Sequence, residues 1–110
     1  MKDKAILMNE LAEIVSANNF VKKIQIDIDT ETLKYNLLLV LDSTEQFLCP
    51  VCIYFYDIAL LNMKDIGGGL TQFMELTIRA VERGYDRLQY QLEEVEHDYI
   101  SFYFHSAERL

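Results

Sequence analysis

Positive charge is scarce in this chain. Ten Lys and Arg stand against eighteen Asp and Glu in 110 residues, giving a formal net charge of −8. Nucleic-acid binding needs clustered cations to neutralise phosphates, and an anionic membrane surface needs them too, so both are disfavoured as partners. With one Pro and four Gly, a long flexible linker has little to be made from. There is no Trp, and only two Cys, too few for a disulfide-stapled framework. No apolar run approaches membrane-spanning length; Leu37–Leu41 is too short. At the N-terminus, Asp3, Glu10 and Glu13 interrupt any signal-peptide core. The expected location is therefore the cytoplasm, with both cysteines as thiols.

What is present is a globular composition, 51% apolar and 25% charged, in a length that suits one domain with its own core over residues 1–110. Leu7, Leu11, Ile14 and Val15 recur at helical spacing, which predicts an amphipathic helix from about Lys4 to Asn18. Asp3 is placed to cap its start, and Asn18-Asn19 to end it. The period then changes to two. Ile24, Ile26 and Ile28 alternate with Gln25, Asp27 and Asp29, the pattern of a strand with one buried and one wet face.

Leu33 to Asp42 is the next expected strand. Its second half is apolar at every position, which predicts a central strand covered on both faces. Phe47 to Leu61 is rich in β-branched and aromatic residues. Pro50 sits at its start or edge, and Asp57 marks a bulge or bend. Asn62 to Gly69 reads as a loop, Phe73 to Val81 as a strand, and Gly84 as a turn. Arg87–Val95 and Asp98–Ser106 form a hairpin around Glu96-His97, with Leu88, Tyr90 and Leu92 facing Ile100, Phe102 and Phe104. The fold expected is α+β: an N-terminal amphipathic helix followed by about six mostly antiparallel strands in a curled, sandwich-like or barrel-like sheet.

No motif carries catalysis. Cys49-Pro50-Val51-Cys52 has redox spacing, but a low-pKa thiolate belongs at a helix N-terminus, and here the strand sequence Ile53-Tyr54-Phe55-Tyr56 follows. His97 and His105 could join the cysteines on zinc only if they came together. A strand between them separates them by roughly 26 Å at the extended rise per residue, against ligand distances of about 2.0–2.3 Å. Gly67-Gly68-Gly69 has no following Lys-Ser or Lys-Thr to bind a phosphate. No catalytic residue, metal ligand or cofactor is assigned. The Tyr and Phe residues suit core packing, with Tyr54, Tyr56, Tyr99 and Tyr103 as the subset that an interface would use.

The apolar spacing of Ile53-Tyr54-Phe55, Ile58, Leu76-Thr77-Ile78, Gly84, Tyr90, Glu96 and Ile100-Ser101-Phe102 resembles that of small bacterial immunity proteins of polymorphic toxin systems. The resemblance covers about half of the chain and implies a cytosolic binding protein that neutralises a toxin. The expectation that follows is a non-enzymatic acidic protein-binding module with a basic partner. Glu93, Glu94, Glu96 and Asp98, gathered in one exposed hairpin region, are its candidate contact residues. The alternative is a small ligand-binding domain or enzyme with a pocket in the curled sheet.

Overall fold

The computed structural model describes residues 4–81 and 90–110, with side chains from residue 7 onward. Among these residues there are one helix and nine strands in two antiparallel sheets. The helix α1 (Lys4–Ala17) is followed by β1 (Phe20–Ile28), β2 (Tyr35–Asp42), β3 (Val51–Tyr56), β4 (Ala59–Met63) and β5 (Thr71–Gln72). Then come β6 (Leu76–Ala80), β7 (Tyr90–Glu94), β8 (Ile100–Phe104) and β9 (Ser106–Arg109). One sheet has the order β5-β1-β2-β3-β9 and the other β4-β8-β7-β6. Neither closes on itself, so the curled sheet is a two-sheet sandwich and not a barrel. The expected cap Asp3, the turn at Gly84 and the hairpin residues Arg87 and Leu88 lie outside the described residues.

The helix forms where the sequence predicts it. Met8, Leu11 and Val15 are its buried stripe, with Leu7 and Ile14 packed beside them. Asn18 ends it by donating both its backbone N–H and its side-chain amide to the Ile14 carbonyl, satisfying one of the free acceptors of the last turn. The helix lies against β6 and β9, the outer strands of the two sheets.

The first strands form a meander in which Ile24 pairs with Leu39, Ile26 with Leu37 and Ile28 with Tyr35. Pairing of this kind sets all six on one face. Leu37 and Leu39 are fully buried and Ile24 packs on the core, but Ile26, Ile28 and Tyr35 are exposed. The isoleucine face expected to be buried is therefore buried at one end only. Leu33 has a left-handed backbone (φ 60°) and belongs to the turn, not to β2. Cover on both faces of β2 holds at Val40, which is buried, and falls short at Leu38, which is half-buried.

The stretch from Phe47 to Leu61 is divided in two. Asp57 takes a left-handed conformation (φ 55°) and sends the chain from β3 in one sheet into β4 in the other. Asp tolerates this region because its short side chain can bond locally. The return path bends at the same level, from β8 into β9, where the His105 N–H donates to the Tyr56 carbonyl. Ala59 pairs with Tyr103, and Phe55 with Ala107. One pair of bent strands thus belongs to both sheets, as at the corners of sandwiches in which strands change layer. Between the layers sit Phe55, Phe102 and Phe104, with ring centroids 4.9 to 6.0 Å apart.

Candidate functional site

In the last hairpin the expected faces meet, but two residues out of the expected register: Leu92 pairs with Phe102 and Tyr90 with Phe104. Its acidic residues do not share one environment. Glu96 and Asp98 are exposed on the turn and Glu93 is half-buried in β7. Glu94 is fully buried, so it is withdrawn from the exposed contact region expected for it. Parity explains this: Glu94 stands two residues after the buried Leu92, on the same face of β7.

The buried carboxylate organises the turn. One Glu94 oxygen accepts from the backbone N–H groups of His97 (2.8 Å) and Tyr99 (3.1 Å), and the other from Met74 (3.3 Å). Burial alone would push the Glu94 carboxyl up. The N–H groups of Tyr99, His97, Met74 and Glu75 outweigh it and hold the group below its ordinary value, because hydrogen bonds to the charged form favour ionisation. Glu94 thereby ties the β7–β8 turn to the segment entering β6. The turn is fixed further by Asp98 in the left-handed region (φ 57°) and by the tilted contact between the His97 and Tyr99 rings, 5.0 Å apart. Asp98 also lies 4.0 Å from Lys64, an exposed pair that adds little stability.

Asp42 acts similarly in the other sheet. Buried at the end of β2, it accepts from the N–H groups of Ser43, Thr44 and Cys49. That fixes the loop in front of Cys49-Pro50-Val51-Cys52. Cys49 is exposed on this loop, while Cys52 is a half-buried residue of β3, so the strand context read from the sequence holds. His97 and His105 flank β8 at opposite ends. Among the described residues, no group of three His, Cys, Asp or Glu side chains is arranged to hold a metal ion. Gly67, Gly68 and Gly69 all have positive φ and open space where a Cβ would stand. They are needed for the shape of their loop, not for a close approach.

The sequence gives no warning of the remaining feature. Between β1 and β4 the sandwich is open. A hollow of about 390 Å³ is lined by Ile24, Ile26, Met63, Lys64, Asp65 and Ile66. A second of about 330 Å³ continues it along Ile26, Tyr35, Ile58 and Leu60. The lining is apolar with one Lys and one Asp at its end, and it lacks the convergent polar groups of a small-molecule site. Tyr54, Tyr56, Tyr99 and Tyr103 are all half-buried, whereas Tyr35, beside this hollow, is exposed. Tyr56 hydrogen-bonds Glu108, and that bond, with burial second, pushes its phenol up to about 12. No helix among the described residues is long and apolar enough to cross a membrane.

Comparison with known proteins adds nothing to this geometry: no family model, no curated protein and no solved structure matches the chain.

Proposed function

We propose that the protein is a non-enzymatic, acidic protein-binding module, an immunity-type inhibitor of a basic toxin acting in the cytoplasm. Its contact surface includes the β7–β8 turn with Glu96 and Asp98 and, beside it, Glu93. The observation that carries this reading is the clamp made by Glu94. Three N–H bonds hold the turn in one shape, so the exposed carboxylates meet a partner without first being ordered. A preorganised surface loses less entropy on association. The net charge of −8 acts in the same direction, since opposed charge accelerates encounter with a basic protein.

The test starts from the coding neighbourhood. A basic protein encoded immediately upstream should arrest growth when expressed alone and be neutralised when this chain is co-expressed. The purified pair should associate more slowly when Glu96→Lys and Asp98→Lys are combined, and the difference should shrink at high salt. A neighbour that neither binds nor is neutralised removes the inhibitor reading. Equal association rates at low salt remove the turn as the contact surface.

A further inference from the structure

Along β1, pairing on the outer side stops early. β5 covers only Phe20 and Val21, which pair with Gln72 and Thr71, and among the described residues no other strand lies on that side. From Lys22 to Ile28 no strand of the described residues pairs on that side; the loop with Ile66, Gly67 and Leu70 faces Lys22, Lys23 and Ile24 across a hollow of about 330 Å³, and the unpaired edge is a template for another strand. Proteins blunt such edges with charge, proline or irregularity. This stretch has no proline. Its irregularity is one register shift between Val21 and Lys23, at the end where β5 already covers the edge. Its inward side carries Ile26 and Ile28, which are 41% and 44% exposed, and Ile26 continues into the apolar hollow toward Met63 and Ile66.

The order of side chains on this edge matches itself in reverse. Lys23, Gln25 and Asp27 lie on the outward face, opposite Val40, Leu38 and Asn36 of β2. Ile24, Ile26 and Ile28 lie on the inward face. A second β1 set antiparallel, with the two-fold axis at Gln25, puts Lys23 opposite Asp27 and Asp27 opposite Lys23. On the other face Ile24 meets Ile26, twice. At its ends the same register sets Lys22, which the register shift leaves without a partner in β2, opposite Ile28, so the regular match runs from Lys23 to Asp27. An isologous contact needs such self-complementarity. Opposite charges and apolar residues placed directly across a strand pair both stabilise it.

We propose that the β1 edge is a self-association surface whose occupant is a second copy of this chain, joined antiparallel about Gln25 to extend the five-stranded sheet across two molecules. The isoleucines of each copy then cover the open hollow of the other. The proposal does not rest on the toxin partner, because it is argued from β1 alone; the β7–β8 turn adjoins the same hollow through Asp98 and Lys64.

A charge swap tests it. Sedimentation equilibrium of the purified chain from micromolar to millimolar concentration should show a monomer–dimer equilibrium. Lys23→Asp alone, or Asp27→Lys alone, sets like charges opposite one another twice per dimer and should weaken association about tenfold. The double variant Lys23→Asp/Asp27→Lys restores both opposed pairs at the original net charge and should recover the dimer. All these positions are exposed, and unchanged thermal unfolding of the dilute variants confirms that the fold is intact. A wild-type chain monomeric throughout overturns the proposal. So does a dimer indifferent to the single swaps, or one that the double swap fails to restore.

Discussion

The sandwich has two sides that differ in how they are finished. On one, α1 lies over β6 and β9, and Leu11 and Val15 disappear into the core. On the other, β1 and β4 leave their apolar residues in the open, with Leu60 67% exposed and Ile26 41%. The sequence pattern at both places is equally regular: a helical stripe in α1, strict alternation in β1. Alternation fixes which residues share a face, and only topology decides whether anything covers it. A covered apolar face contributes stability through burial; an uncovered one is available for association.

The sharpest way to break this comparison is to cut one apolar residue from each side. Leu11→Ala should cost roughly 2–5 kcal/mol, the range for fully buried leucines. Ile26→Ala should cost less than about 1 kcal/mol in dilute solution, because much of its surface is already in water. Urea denaturation of the two variants measures both. Similar losses would mean that the open side is held as tightly as the closed one.

Glu94→Ala comes next in size. It removes the acceptor of three backbone N–H groups, and leaving buried donors unsatisfied costs about 1–3 kcal/mol. Glu94→Gln sharpens the point through pH. The folded carboxyl lies below its ordinary value. Its contribution is therefore complete above the ordinary carboxylate range and is lost as pH falls through that range toward the lowered folded value. Wild type should lose stability over this window more steeply than Glu94→Gln, as measured by urea midpoints across acid pH.

The cysteines should give the smallest effect. Cys49→Ser with Cys52→Ala should change stability by about 0.5 kcal/mol, as one exposed and one half-buried thiol are lost away from the central cluster. Stoichiometric zinc in wild type purified without added metal, absent from the variant, would show a role that their strand context does not suggest.

Much of the fold was legible because periodicity is local. The α1 stripe, the meander of β1 and β2, the bend at Asp57 and the facing sides of the last hairpin all follow from neighbouring residues. The misses were cases where distant chain decides. β9 (Ser-Ala-Glu-Arg) has a single apolar residue, Ala107, and is a strand because β3 lies beside it. Ile26 and Ile28 read as buried because nothing nearby in sequence shows that β5 covers only the first two residues of β1. Glu94 read as surface because charge ordinarily is. Its parity with Leu92 pointed inward, and only the N–H groups of Met74, His97 and Tyr99 make that position tolerable. Of the four candidate contact residues, the sequence located the turn but could not tell its organiser from the residues it displays.

The bent strands shared by both sheets also set a timetable for the growing polypeptide. β1, β2 and β3 can pair as soon as they leave the ribosome, since each follows the last closely. β3 then waits for its second neighbour until β9 emerges, because Ile53 pairs with Arg109 and Phe55 with Ala107. β4 waits likewise for β8. At roughly 5–20 residues per second, translation leaves these edges bare for some seconds. Neither layer can be finished before the other, so the nascent meander stays a template for stray strands until residues 100–109 have been made.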